Sequence, residues 1–187
     1  AYCAAPLSGP SRFAMMTGIA PGSQEMMKNN SPFPDIAKEE TLGNLVSSAG
    51  YISAYAGKWH IPESSLPKND NSFGFTSIHD HNDYGLAESC VDFIKKDHDK
   101  PFFLVASFDN PHNICEYARN HNLPFAEIKE PDLTDCPNLP SNFYPAPYEA
   151  EIIRLEQRVH FPTYPVIDYT PDDWRRYLNA YYRLVEL

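Results

Sequence analysis

Apolar positions along the first hundred residues come in short bursts that alternate between two periods. Phe13, Ala14, Met15 and Met16 follow Pro10, a residue suited to a first helical turn, and Gly18 ends the run, so the spacing predicts a helix over 10–17. Leu42, Leu45, Val46 and Ala49 recur at helical spacing behind Thr41, a capping residue, and Gly50 stops them. YISAYAG (51–57) and FTSI (75–78) read as short strands. GLAESCVDFIKK (85–96) reads as a helix with Leu86, Cys90 and Ile94 on one face, and FFLVASF (102–108) as a buried parallel strand. Helix and strand in alternation give an α/β fold.

Beyond residue 108 the texture changes. Residues 116–171 hold nine of the 18 prolines, which predicts a Pro-rich irregular insertion, 116–170, crossing the surface on the substrate side. Thr170-Pro171-Asp172-Asp173 then supplies a cap, a proline at the first helical position and acids at the positive end of a last helix. Its predicted apolar face is Trp174, Tyr177, Leu178, Tyr181 and Val185.

With 187 residues, 42% of them hydrophobic, the chain can bury a core. A net charge of -10 argues against a nucleic-acid partner, because neutralising phosphates needs a basic face. It leaves room for one local cluster of cations around an anionic substrate. No apolar run reaches the roughly 18 residues of a membrane span. No signal peptide is visible. The chain opens at Ala1 without a Met and stops at Leu187 inside a predicted helix, so it reads as an internal portion of a longer protein. Cys3, Cys90, Cys115 and Cys136 lack metal-type spacing and read as buried thiols.

Three segments concentrate chemistry: Ser8-Gly9-Pro10-Ser11-Arg12, Gly57-Lys58-Trp59-His60 and Asn110-Pro111-His112-Asn113. His112 follows the apolar run 102–108, and ligands of open α/β sheets bind beyond the carboxyl ends of strands. Lys58 and His60 also follow a strand, and in an extended segment they face one side together. Ser8 and Arg12 flank a helix start, whose free N–H groups favour an anion. Each segment alone is an ordinary feature: a turn serine, a solvated Lys-x-His pair, a loop-capping histidine. In this order on an α/β frame, they converge on a site for one tetrahedral anion.

Ser8-Gly9-Pro10-Ser11-Arg12, followed by Met16-Thr17-Gly18, resembles the signature of the type I sulfatases, C/S-x-P-S-R-x-x-x-x-T-G. GKWH resembles their second signature, and PFFLVASFDNPH resembles the block that carries a further active-site histidine. The resemblance runs from residue 1 to about 115 and resumes in WRRYLNAYYRLVEL, with departures at Ile19 and Ile61-Pro62. It implies an alkaline-phosphatase-like domain, a mostly parallel sheet flanked by helices, of which residues 1–187 are a partial catalytic portion lacking both ends.

The resemblance further implies that Ser8 is oxidised to formylglycine by a maturase that reads Pro10 and Arg12. A serine there matches either the bacterial branch served by a radical-SAM maturase or a Cys-to-Ser replacement. As a hydrated aldehyde, Ser8 would be both nucleophile and calcium ligand, and Arg12 would hold the diol. Lys58 would neutralise the sulfate, His60 would hydrogen-bond the diol and help expel sulfate, and His112 would be the general acid. The remaining calcium ligands are expected outside the chain. Asp80, Asp83 and Asp109 are set aside for that role, and HDHND (79–83) reads as a solvated loop.

Asn110, Asn113, Glu116 and Arg119 are the candidate substrate contacts, with His79, His81 and Asn82 behind them. The implied activity is hydrolysis of sulfate esters on a sulfated glycan, in the periplasm or outside the cell. Two alternatives stay open: a phosphate or phosphonate ester hydrolase of the same superfamily, and a non-catalytic sulfated-glycan binding protein with Ser8 unmodified.

Overall fold

The computed structural model describes residues 2–35, 40–63, 65–68, 73–123, 129–159, 166 and 168–186. The chain divides into two compact units, Ala1–Asp109 and Asn110–Leu187.

In the first unit, α1 (Ser8–Thr17), α2 (Leu42–Ser48), β1 (Ile52–Gly57), β2 (Thr76–His79), α3 (Leu86–Lys95) and β3 (Phe102–Ser107) alternate as the hydrophobic pattern predicts. The three strands form a sheet in the order β2-β1-β3, with both pairings parallel. Parallel pairing brings the carboxyl ends of all three strands to one edge of the sheet. The register sets Gly57 beside Ser107 and, after a shift at Tyr55/Ala56, His79 beside Ala56.

Alternation along β1 separates two cores. Tyr55 joins Phe13, Met16, Met26, Phe33, Trp59, Phe73 and Phe75 in a buried cluster. The ring pairs Phe13–Phe33, Phe33–Phe73, Trp59–Phe73 and Tyr55–Trp59 all meet edge to face at about 5 Å. Ala56 joins Leu86 and Cys90 in a second cluster, with Ile78 and Leu104.

Some helix faces are rotated from the prediction. In α3, Ile94 is exposed, while Phe93 packs edge to face on Phe102. In α2, Leu45 is exposed and Gly43 is the buried contact, because a Cβ there would collide with the Phe73 carbonyl and the Phe75 ring. Thr41 caps α2 as expected, accepting from Asn44 N at 3.3 Å, and its hydroxyl also donates to Phe73 O at 2.8 Å. β3 is parallel as predicted but only partly buried, since it is an edge strand of this sheet.

The second unit holds α4 (Ile114–Ala118), α5 (Glu151–Val159) and α6 (Pro171–Glu186). The segment predicted to be irregular thus carries the helix α5, and residues 124–128, 160–165 and 167 of it lie outside the described residues. Thr170 and Asp173 form the reciprocal cap expected of α6: Thr170 N donates to Asp173 Oδ2 at 2.8 Å, and Asp173 N donates to Thr170 Oγ1 at 3.2 Å. The buried face of α6 is Ala180 and Leu184 packed with Ile114, while Tyr181 and Val185 are exposed. Arg175 and Asn179 of α6 pin the loop at 133–137 by donating to the carbonyls of Leu133, Asp135, Cys136 and Pro137. Tyr177 of the predicted apolar face packs against the cluster of Ile114, Ala180 and Leu184, and Trp174 meets Tyr177 edge to face at 5.5 Å. All four cysteines are free, and Cys3 is exposed rather than buried.

Candidate active site

Gly57 ends β1 at φ +92°, and a Cβ on it would run into the Ser107 carbonyl and the Leu86 side chain. This lets the chain turn sharply off the sheet edge into Lys58-Trp59-His60. Trp59 is fully buried and donates from Nε1 to Ile61 O at 2.9 Å, anchoring the turn in the aromatic core. His60 follows at φ +58°, a left-handed conformation that costs a side-chain-bearing residue about 1–3 kcal/mol. Its reward is a partner: His60 Nδ1 lies 2.8 Å from Ser8 Oγ, and the two share one proton in either imidazole tautomer.

Ser8 is the first residue of α1. Free first-turn amides are the expected attraction for an anion, but those after Ser8 are committed elsewhere or missing. Gly9 N donates to Asn29 Oδ1 at 2.9 Å, Pro10 has no N–H, and Ser11 N donates to Leu7 O at 3.0 Å. Positive charge at this end of α1 therefore comes from side chains and the helix dipole.

Arg12, one turn along α1, reaches the sheet edge. Its Nη1 donates to Lys58 O at 2.8 Å and Ser107 Oγ at 3.0 Å, and lies 3.5 Å from the Tyr55 hydroxyl. Tyr55 OH also donates to Lys58 O, at 2.7 Å. Burial pushes the Tyr55 pKa up, against the pull of Ser107 and Arg12, so the hydroxyl keeps the proton it donates. One guanidinium nitrogen thus fixes α1 to the ends of β1 and β3, and the side chain's other donors are not used in these bonds.

Lys58 is 6% exposed. Its ammonium meets Asp109 Oδ1 at 2.5 Å, and His81 Nε2 lies 3.3 Å from the same oxygen. Asp83 Oδ1 accepts from Asp109 N at 2.7 Å. Burial raises the Asp109 pKa, but the hydrogen bond from Lys58 and the close approach of His81 outweigh it and hold the carboxyl below the usual aspartate range. Lys58 follows β1, His81 and Asp83 follow β2, and Asp109 follows β3, so the parallel register assembles this cluster.

The first unit therefore brings together Ser8, Arg12, Lys58 and His60. His112, Asn110, Asn113, Glu116 and Arg119 belong to the second unit. There His112 is exposed, and its carbonyl accepts from Cys115 N at 3.2 Å at the start of α4. Asn110 Nδ2 donates to Leu184 O of α6 at 2.5 Å, and Asn113 is the N-cap residue of α4. Glu116 is bound by Arg119 Nη1 at 2.7 Å and His121 Nδ1 at 2.8 Å. The His121 bond leads in holding the Glu116 pKa down, with Arg119 and Cys115 adding to it and burial opposing. His79 Nδ1 lies 3.0 Å from Ser89 Oγ.

Among the described residues, no group of three or more His, Cys, Asp or Glu side chains could hold a metal ion. Ser8 is a single oxygen facing a histidine, and Asp109 is taken up by Lys58 and His81. The resemblance places the calcium ligands other than Ser8 outside residues 1–187, and the described residues do not bear on that expectation.

The profile of the sulfatase family matches residues 1–187. The chain belongs to the sulfatase family. Among curated relatives, this sulfatase-family chain is 29% identical over 163 residues to a Delta 4,5-hexuronate-2-O-sulfatase of Bacteroides thetaiotaomicron, covering 76% of this chain and 32% of that protein. An N-acetylglucosamine-6-O-sulfatase of the same organism is 26% identical over 142 residues, covering 64% of this chain and 25% of the relative. A solved 2-O GAG sulfatase superposes with a TM-score of 0.64 at 24% identity, covering 100% of this chain and 42% of that one, which establishes the shared fold. The chain spans about a third of the length of the relatives it matches first.

Proposed function

We propose that this sulfatase-family chain is part of an enzyme that hydrolyses sulfate esters on a sulfated glycan, with Ser8 converted to formylglycine. The supporting observation is the Ser8–His60 pair at 2.8 Å, set at the sheet edge where Arg12 and Lys58 also arrive. Conversion removes two hydrogens from the Ser8 side chain, with their electrons passing to a maturase, and the hydrated aldehyde supplies a nucleophilic oxygen that can later release sulfate by re-forming the aldehyde. His60 holds the proton at that oxygen. Lys58 answers the negative charge of the sulfate, its ammonium having donors beyond the one given to Asp109. Arg12 keeps the start of α1 fixed to the sheet edge, and so fixes the angle between Ser8 and His60. We assign to His112 the proton that the departing alkoxide takes up.

The glycan class rests on relatives named for hexuronate and N-acetylglucosamine sulfates and on the polar candidate contacts Asn110, Asn113, Glu116 and Arg119. Polymeric glycans are met outside the cytoplasm, so we place the working enzyme in the periplasm or beyond. No helix among the described residues is long and apolar enough to cross a membrane.

The test is release of sulfate, against release of phosphate from matched phosphorylated sugars, by full-length protein matured in its own host. Sulfate release is expected to dominate and to fall about a thousandfold or more in Ser8→Ala. Preferred phosphate release would assign the site to the phosphate ester hydrolases, and retained turnover in Ser8→Ala would remove Ser8 from the chemistry.

A further inference from the structure

An open cavity of about 580 Å³ lies in the first unit, lined in part by Glu63, Ser65, Pro67, Lys68, Asp80 and His81. Its size is that of a small-ligand pocket, roughly 300–1,000 Å³. None of these side chains has a part in the chemistry proposed above. Its wall is nonetheless tied to Lys58 by a closed circuit. The backbone of Ser65 pairs antiparallel with Lys58. Ser65 Oγ accepts from His81 N at 2.9 Å, His81 Nε2 sits 3.3 Å from Asp109 Oδ1, and Asp109 returns to Lys58. A ligand held against His81 is thus two side chains from the Lys58 ammonium.

The lining selects by charge. Lys68 Nζ already pairs with Asp80 Oδ2 at 2.9 Å, and both are well exposed, at 62% and 49%. Glu63 adds a further carboxylate. The cavity is therefore neutral to acidic, and a uronate or a second sulfate would meet like charge. Hydroxyl groups fit better: Asp80 and Glu63 accept from them, Lys68 and Ser65 donate to them, and Pro67 offers an apolar surface to the C–H face of a ring.

We propose that this cavity is the subsite for an uncharged sugar residue joined to the sulfated one. The inference rests on the sulfatase reading above and adds which neighbour the enzyme accepts. The test uses full-length matured protein and whichever of sulfated hexuronate or N-acetylglucosamine it desulfates. That monosaccharide is compared with two disaccharides that join it to galactose or to glucuronate. The galactose disaccharide is expected to exceed the glucuronate one about tenfold in kcat/KM. Lys68→Ala, a change at an exposed side chain, should raise KM several-fold for the galactose disaccharide and leave the monosaccharide unchanged. Asp80→Lys should turn the preference toward glucuronate. Equal kcat/KM for both disaccharides, or a monosaccharide affected as much as the disaccharide, would overturn the subsite while leaving the sulfatase reading intact. No sulfate from any of the sugars would instead overturn the sulfatase reading, and the subsite with it.

Discussion

The Lys58 ammonium is almost wholly withdrawn from water, and the Asp109 carboxylate meets it. Removing one member of a buried pair strands the other charge, which costs more than the pair itself contributes. Because Asp109 titrates below the usual aspartate range, its contribution to stability is fully present above the unfolded-state pKa, about 4, and is lost as pH falls through the lower folded value. Asp109→Asn should therefore lower the melting temperature near neutrality, and the gap from wild type should close below about pH 4. Melting curves across that range would check this, and a gap independent of pH would mean the carboxylate's charge plays no part. Ser8, Arg12, Lys58 and His60 were legible as candidates because their motifs have fixed local spacing. Asp109 carries no such signal, since its partner Lys58 lies 51 residues away and comes to it only through the strand register.

At the scale of elements, the turn leaving β1 carries the most constraint. Gly57 occupies a backbone conformation that L side chains avoid, and its flank is filled by the Ser107 carbonyl and Leu86. Gly57→Ala should cost at least about 2 kcal/mol from strain and overpacking together. It should also part His60 from Ser8, so turnover should fall more than stability alone explains. Chemical denaturation beside kcat measurement would separate the two effects, and unchanged stability would contradict the crowding seen here. Helix existence was readable from period and caps, most clearly in the Thr170–Asp173 box of α6. Helix faces were harder. Gly43 of α2 and Asn179 of α6 are buried by close backbone approach and by hydrogen bonding, and neither signal is written in hydrophobic spacing.

Across the whole molecule, two compact units divide the candidate residues, with Ser8, Arg12, Lys58 and His60 in one and His112 in the other. The α/β alternation through residue 108 was visible because short parallel strands and their crossover helices differ in period. The Pro-rich stretch hid α5, whose Glu151–Val159 sequence is amphipathic but whose Ile152, Ile153 and Leu155 side chains are exposed. Against a net charge of -10, Arg12 and Lys58 bring two cations to the sheet edge, one of them paired with Asp109. All of the proposed chemistry passes through one atom, the Ser8 side-chain oxygen. The most direct test is the mass of the peptide carrying Ser8, taken from full-length protein made in its own host. A peptide lighter by two hydrogens, or the hydrate of that product, is the predicted result. An intact serine in protein that still releases sulfate would contradict the account.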